Sequence, residues 1–324
     1  MSVNSTTVNT VLGPVSSDEL GVVSVHEALL SVLPGAEHAF DITLDRAEIF
    51  ETLADKLRGF RAHGGGTIVD STGMFHGRDV PLYESLSRAT GVHIVASTGQ
   101  GPEELLGGYF LTPQTNPPTP WTAEKFADLF TREITEGMVV PRVERRGPAG
   151  LVTTAVTRAG MTATDESLLR GAAHAALATG TAVSFRHGAD AVRELDVVLD
   201  EKLPADRVAV GGLDRKDAVA SGAPEKIAAR GARVVLDRVG TEDDMHLTDA
   251  ERAALVADLV RAGHTDRILL SVGATGVAKG HPATDLPYSH LLTAFVPLLS
   301  AHGVGDGDVR HILEANPRDL LAVR

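Results

Sequence analysis

The sequence predicts a single-domain (β/α)8 barrel, the α/β fold known as a TIM barrel. Short apolar runs alternate with amphipathic segments along almost the whole chain. Because strands and helices alternate, the strands should form a parallel sheet. The unit recurs eight times, and eight units favour a closed barrel over an open sheet. The length of 324 residues suits one barrel of this kind.

The predicted strands are short runs rich in Val, Ile and Ala, as expected for strands buried on both faces. Their residues are 22–28, 67–71, 93–98, 150–156, 182–187, 207–212, 233–237 and 267–273. The fifth of these runs ends in Arg186 and His187. In a parallel barrel the carboxyl ends of the strands surround the mouth, so charged side chains at such an end are site candidates.

The predicted helices show apolar residues at helical spacing, as Ile49, Leu53, Leu57 and Phe60 illustrate. The helical segments are residues 44–62, 80–90, 122–136, 164–178, 191–202, 216–229, 248–262 and 289–301. Thr248 and Glu251 have the spacing of a capping box, which marks the start of the seventh helix. Residues 1–21 are expected to be an N-terminal extension that packs on the barrel, and residues 308–324 a helical tail.

Three connecting segments carry specific expectations. Gly64, Gly65 and Gly66 precede a strand, which indicates the end of a helix and a loop and argues against a phosphate-binding turn. Residues 111–120 contain four prolines and should form a loop after the third strand. Residues 274–287, which include Lys279 and His281, follow the last strand and are expected to form a mobile lid.

Composition narrows the class of function. The net charge of −13 and the pI of 5.4 argue against a nucleic-acid or membrane surface, both of which need clustered cations. The chain has no cysteine, so disulfides and thiolate chemistry are excluded. No secretory signal pattern opens the sequence, and a cytoplasmic location is expected. We therefore expect a small-molecule substrate and no cofactor, with a homodimer as the candidate assembly.

Several motifs, in their order along the chain, resemble the phosphotriesterase-like branch of the amidohydrolase superfamily. They are residues 8–15 (VNTVLGPV), 20–27 (LGVVSVHE), 66–70 (GTIVD), 77–80 (GRDV), 92–99 (VHIVASTG), 176–180 (ALATG), 235–238 (VLDR), 288–292 (YSHLL) and 316–317 (NP). The resemblance covers nearly the whole chain. It implies the same barrel fold and, in ordinary members, a pair of divalent metals that activate water for hydrolysis.

The metal ligands implied by the resemblance are replaced at all but one position. Members of the family carry a His-x-His pair, a carboxylated lysine, two further histidines and an aspartate. His26 keeps the first position, whereas the other positions hold Ala28, Thr153, Arg186, Gly212 and Gly273. A lone imidazole is too few ligands for a catalytic divalent ion, and a permanently charged guanidinium repels one. No metal site is therefore expected.

A site without metals must polarise an oxygen and move a proton with side chains alone. Arg186 is the candidate electrophile, His26 the candidate acid or base, and Asp237 a base or an orienting partner. The candidate substrate contacts are Arg238, Thr153, Thr98, Gln100, Asp70, Lys279 and His281. His187 comes one residue after Arg186, so it should point to the opposite side of the strand.

The expected function is metal-independent chemistry on an anionic or oxygen-rich small molecule, as a hydrolase-like enzyme or as a lyase, isomerase or cyclase. A first alternative is a non-catalytic protein that binds a small molecule in the same pocket. In that case His26 is a leftover core residue and the arginines form structural ion pairs. A second alternative is a metal-dependent hydrolase whose ligands lie elsewhere, although no His-x-His occurs in the sequence.

Overall fold

The computed structural model describes residues 6–324 except 34–35, 37–38, 75, 107–110, 113–118, 141–143 and 285. The strands are β1 (Thr7–Thr10), β2 (Gly13–Ser16), β3 (Val22–Val32), β4 (Gly65–Asp70), β5 (His93–Thr98), β6 (Leu111–Thr112), β7 (Thr119–Pro120), β8 (Leu151–Ala155), β9 (Val183–Arg186), β10 (Val208–Gly211), β11 (Arg233–Leu236), β12 (Ile268–Leu270) and β13 (Thr275–Lys279).

The helices are α1 (Arg46–Ala62), α2 (Val80–Thr90), α3 (Glu103–Leu106), α4 (Ala123–Thr135), α5 (Ala163–Thr179), α6 (Ala191–Asp200), α7 (Lys216–Ala220), α8 (Ala223–Ala229), α9 (Asp249–Arg261), α10 (Val296–Ala301), α11 (Asp306–Arg310) and α12 (Asn316–Leu321). Short 3₁₀ segments cover Ser17–Glu19, Ala205–Arg207 and Thr265–Arg267, and π-helical turns cover Leu291–Phe295 and His311–Ala315. In the described part of the chain, no helix is long and apolar enough to cross a membrane.

The predicted TIM barrel is confirmed. One parallel sheet has the strand order β12-β11-β10-β9-β8-β5-β4-β3-β13, and helices follow its strands. Each of the eight predicted strands falls on one strand of this sheet. The predicted helix at 216–229 is instead two helices, because Gly222 has a φ of +70° and Pro224 follows it.

The segment after β12 is only partly the predicted lid. Residues 275–279 form β13, which pairs in parallel with the end of β3, from Thr275 beside Ala28 to Lys279 beside Val32. β3 extends to Val32, and its last residues need hydrogen-bond partners that β13 supplies. The expectation of a mobile loop is therefore wrong for these residues.

Side chains pack in two apolar layers. Val69, Val95, Leu151 and Val235 belong to the layer that fills the barrel. The neighbouring side chains of the strands, such as Ile68, Ala96 and Val152, belong to the larger layer between sheet and helices. Val8 before β3 and Leu320 and Leu321 of α12 complete the inner layer. Successive strand residues therefore alternate between barrel interior and helix layer, and this alternation positions the site.

Of the three glycines predicted to form a loop, only Gly64 lies outside a strand. Gly64 has a φ of +97°, but Gly65 and Gly66 begin β4. A Cβ on Gly66 would lie 2.2 Å from the carbonyl oxygen of Leu20. The glycines therefore allow close approach of β4 to neighbouring chain. In the predicted loop at 111–120, β6 pairs with β7, and residues 113–118 lie outside the described part.

Candidate active site

The barrel mouth brings together the three residues predicted to be catalytic. His26 lies on β3, Arg186 at the end of β9 and Asp237 just after β11. Thr153, a predicted substrate contact, lies on β8. Thr153 and Asp237 each follow an inner-layer residue, Leu151 and Val235, by two positions. Since side chains two apart share a face, both point into the barrel.

His26 and Arg186 converge on one carboxylate oxygen. The His26 Nε2 lies 3.8 Å from Asp237 Oδ2, and the Arg186 Nε lies 3.7 Å from the same atom. Both distances exceed hydrogen-bond length, and neither Asp237 oxygen has a hydrogen-bond partner among the described residues. The Asp237 side chain is fully buried, whereas 22% of His26 and 28% of Arg186 remain exposed. A ligand could therefore reach the side chains of His26 and Arg186, whereas the Asp237 carboxylate is buried beneath the protein surface.

The absence of a side chain at Gly211 leaves space for the Asp237 carboxylate. A Cβ on Gly211, at the end of β10, would lie 2.9 Å from Asp237 Oδ2. That separation is shorter than real Cβ contacts allow. Any side chain at position 211 would therefore displace the Asp237 carboxylate.

Electrostatics fix the charge states at neutral pH. Burial alone would raise the pKa of Asp237, but Arg186, and then His26 and Arg238, lower it to about 2. Burial is the largest cause that lowers the pKa of His26 to about 4; Asp237 opposes it, and Arg186 and Arg238 act with it. Asp237 is therefore a carboxylate and His26 a neutral imidazole.

Arg238 belongs to the same cluster. Its charge acts on His26 and Asp237, and its Nη1 donates to the carbonyl oxygen of Gly273 at 3.3 Å. Its Nε is buried and lacks a hydrogen-bond partner in the described chain. Burial lowers the pKa of Arg238, and the charge of Arg186 acts in the same direction.

Two predicted substrate contacts, Asp70 and Thr98, face the helix layer instead of the mouth. They follow Ile68 and Ala96 of that layer by two positions. Asp70 Oδ2 accepts hydrogen bonds from the Leu29 amide (2.8 Å) and the Tyr83 hydroxyl (3.1 Å). Its Oδ1 accepts from the amide and hydroxyl of Thr72. These bonds indicate that Asp70 joins β3, β4 and α2.

The remaining predicted contacts lie around the mouth at different distances from its centre. Thr153 is close to the loops after β4 and β5, because its carbonyl oxygen would lie 1.8 Å from a Cβ on Gly99. Gln100 Nε2 lies 3.8 Å from Met74 Sδ, and its Oε1 is buried without a described partner. Lys279 ends β13, and His281 Nε2 lies 2.8 Å from Ser31 Oγ, at the far end of β3 from His26.

His187 points away from Arg186, as the alternation predicts. It follows Phe185 of the helix layer by two residues. Its Nε2 lies 3.0 Å from the carbonyl oxygen of Gly212, and burial lowers its pKa. The imidazole is neutral at physiological pH and packs beside the loop after β10.

The residues present do not fit a pair of divalent metals. Gly212 and Gly273 have φ values of +77° and +64°, and a Cβ on Gly273 would lie 2.1 Å from the carbonyl oxygen of Asp237. The loop backbone itself thus leaves no room for a ligand side chain at position 273. Among the described residues, no group of three or more His, Asp and Glu could hold a metal ion. The guanidinium of Arg186, which would repel a metal ion, stands at one of the implied ligand positions.

Sequence reasoning missed Glu27, the neighbour of His26. Its buried carboxylate accepts hydrogen bonds from the Ser24 and Ser271 hydroxyls at 2.5 and 2.8 Å. It also accepts from the amides of Val272 (3.0 Å) and Ala274 (2.7 Å). Burial raises the pKa of Glu27 to about 7, although these donors oppose the shift. Glu27 therefore ties the first barrel strand to the turn after the last.

Asp214 and Arg252 were also missed. Asp214 lies in the loop after β10, and Arg252 in the first turn of α9; both side chains are fully buried. The signal for Asp214 was its place three residues after a strand end. The sequence contains no signal for Arg252, because its charged neighbours in the helix are typical of a solvent-exposed helix face.

Comparison with known proteins identifies relatives of this chain. The family model described as the phosphotriesterase family matches residues 6–321. A phosphotriesterase homology protein of Mycobacterium tuberculosis is 29% identical, with 97% of each chain covered. An aryldialkylphosphatase of Saccharolobus solfataricus is 26% identical over 95% of this chain and 97% of its own. An N-acetyltaurine hydrolase of Salmo salar is 26% identical over the full length of both chains.

Solved structures show the same fold. An organophosphorus hydrolase mutant from Deinococcus radiodurans superposes with a TM-score of 0.87 at 22% identity, covering 98% of this chain and 97% of that one. An engineered organophosphate hydrolase built from a lactonase template gives 0.86 at 23% identity, covering 98% and 100%. With a family model that spans nearly all its residues, this chain belongs to the phosphotriesterase family.

Proposed function

We propose that this protein is a metal-independent enzyme of the phosphotriesterase family that acts on an anionic or oxygen-rich small molecule. The observation that carries the proposal is the approach of His26 Nε2 and Arg186 Nε to one oxygen of Asp237, at 3.8 and 3.7 Å. A base, an electrophile and a fixed carboxylate are thus together at the barrel mouth. These are the parts that acid/base catalysis without a metal requires.

Each residue has a distinct role in hydrolysis. In the proposed mechanism Nε2 of His26, which lies 3.8 Å from Asp237, carries the proton, and Nδ1 is the atom that accepts one. Nδ1 takes a proton from the attacking water as the water oxygen bonds to the substrate carbonyl or phosphoryl centre. Arg186 stabilises the negative oxygen that develops, and Asp237 stabilises the imidazolium. Imidazolium then returns the proton to the leaving oxygen as its bond to the substrate breaks.

Substrate class follows from charge. Among His26, Arg186, Arg238 and Asp237, two guanidinium groups face one carboxylate, because His26 is neutral, so these four residues carry an excess of one positive charge. An anionic or strongly polarised oxygen is the complement of that excess. The relatives named above are hydrolases by name, which favours hydrolysis among the possible reactions. An isomerase, a lyase or a cyclase would use the same residues.

A non-catalytic binding protein is the second candidate. The low pKa of His26, about 4, favours it, since so weak a base removes protons poorly at neutral pH. An anionic ligand would offset the arginine charges that contribute to this low value. The two candidates therefore differ in whether a bound molecule is converted.

The test is turnover of aryl esters, lactones and phosphotriesters with EDTA present throughout. We expect measurable hydrolysis of at least one class, lost about 100-fold or more in His26→Gln. His63→Gln, at an exposed helix end, is the matched control and should leave the rate unchanged. Activity only after addition of zinc or manganese would contradict the proposal. Binding of a probe without conversion would favour the binding protein.

A further inference from the structure

The loop that carries Arg238 is held by hydrogen bonds along its main chain. The Arg238 amide donates to Asp214 Oδ2 at 3.0 Å, and the Gly240 amide donates to Asp249 Oδ1 at 2.8 Å. The Thr241 carbonyl accepts from both Nη atoms of Arg252 at 3.3 Å. Three side chains outside the loop thus determine the path of the residues that follow β11.

Arg252 connects these contacts. Its Nε donates to Asp214 Oδ2 at 2.8 Å, and its Nη1 donates to Asp249 Oδ1 at 2.8 Å. The Arg252 side chain has no exposed surface, and neither has that of Asp214. A single guanidinium therefore joins the loop after β10, the loop after β11 and the start of α9.

We propose that Asp214 and Arg252 are positioning residues that fix the main chain of Arg238 and thereby aim its guanidinium at the ligand. This inference rests on the proposed function, which makes Arg238 an anion contact. A buried ion pair often stabilises a folded protein no more than an apolar pair of equal volume would. A contribution to stability is therefore a poor explanation for the Asp214–Arg252 pair. An apolar pair could neither accept the hydrogen bond of the Arg238 amide nor donate one to the carbonyl oxygen of Thr241.

Such positioning matters because an arginine side chain has many rotamers. Ligand binding by a mobile arginine loses side-chain entropy, whereas an arginine on a fixed main chain has already lost part of it. Asp214 and Arg252 would therefore increase affinity without touching the ligand.

Two variants test the proposal. Arg252→Met keeps the side-chain volume and removes the hydrogen bonds, and Asp214→Asn removes the charge. The matched control is Glu133→Gln, which weakens the buried Arg78–Glu133 pair, whose Nη2 to Oε1 distance is 2.9 Å, elsewhere in the protein. Hydrogen exchange at the Arg238 and Gly240 amides and the affinity for inorganic phosphate are measured well below each melting temperature.

We expect Arg252→Met and Asp214→Asn to speed exchange at these amides and to weaken phosphate binding, each about tenfold. Glu133→Gln should change neither, even with a comparable loss of thermal stability. In an Arg238→Ala background, Arg252→Met should weaken phosphate binding no further, because the positioned group is gone.

Unchanged exchange at both amides in Arg252→Met overturns the proposal, and so does an equal loss of affinity with and without Arg238. If Arg252→Met does not fold, Arg252→Lys, which keeps the charge and loses the fork, is judged by the same exchange measurement. Faster exchange in a protein whose wild type binds no phosphate supports the positioning of Arg238 and counts against the proposed anion site.

Discussion

Arg186 is the least constrained charged group at the mouth. Its Nε is 3.7 Å from Asp237, and it makes no hydrogen bond to any residue in the part of the chain that the structure describes. The N–H groups of this guanidinium can therefore donate hydrogen bonds to acceptor atoms of a ligand. If the proposed function is right, these donors bind the ligand, so most of the effect of Arg186 should be on binding.

Replacement of Arg186 should weaken binding of inorganic phosphate while the fold survives. A charge-assisted hydrogen bond is worth about 1.5–3 kcal/mol, so Arg186→Ala should lose about 10- to 100-fold in affinity. Arg186→Lys should lose less, since it keeps the charge but not the planar fork. Isothermal titration checks both, with Arg193→Ala, a nearby exposed arginine on α6, as the control for net charge. Normal affinity combined with a much lower melting temperature would make Arg186 a structural residue.

Glu27→Gln should make stability less dependent on pH. Burial raises the pKa of Glu27 from 4.5 to about 7, so the folded protein holds this proton more tightly than the unfolded chain. The contribution of protonated Glu27 to the free energy of unfolding is complete below pH 4.5 and is lost as pH rises through 7. Urea unfolding at pH 5 and pH 8 should show the wild type losing up to about 3 kcal/mol more than Glu27→Gln. Equal losses would show that the hydrogen-bond donors cancel the burial effect.

At the scale of single elements, the sequence predicted strand positions well and strand faces unevenly. Thr153 and Asp237 point into the barrel, because inner-layer residues precede them by two positions. Asp70 and Thr98 were chosen only because they end strands, and counting from Val69 and Val95 would have put them on the helix side. β13 was missed because a glycine-rich segment after β12 reads as a loop. Its strand conformation depends on the length of β3, a tertiary effect.

Gly273→Ala should destabilise the protein far more than an alanine at another positive-φ glycine. Position 273 combines a φ of +64° with a Cβ only 2.1 Å from the Asp237 carbonyl oxygen, so the loop must shift. Gly303 has a φ of +85° with nothing within 4 Å, which isolates the backbone strain. Thermal unfolding should show about 1 kcal/mol lost for Gly303→Ala and about 3 kcal/mol or more for Gly273→Ala. Equal losses would show that the loop after β12 yields easily.

For the whole molecule, the sequence predicted the fold and the family, because both depend on patterns spread over many residues. The individual contacts of the site depend on where distant loops meet. Asp214 and Arg252 are 38 positions apart, and no local pattern marks them as partners. The approach of His26 and Arg186 to Asp237 likewise arises only when β3, β9 and β11 come together.

The purified protein should carry no stoichiometric zinc, manganese or iron. Arg186, Gly212 and Gly273 stand at three of the implied ligand positions, and both glycines have positive φ values. Elemental analysis after mild dialysis should give far less than one metal per chain, and EDTA should leave the melting temperature unchanged. One or more metal ions per chain would sink the proposed chemistry.

The two described ends of the chain meet at the amino-terminal end of the barrel. Val323 donates its amide proton to the carbonyl oxygen of Thr7 at 2.9 Å, while Val8, Leu320 and Leu321 join the inner layer. During synthesis the last of these apolar residues emerges from the ribosome only after every barrel strand has been made. The inner layer therefore stays incomplete until Leu320 and Leu321 have been translated, and the barrel exposes apolar surface up to that point.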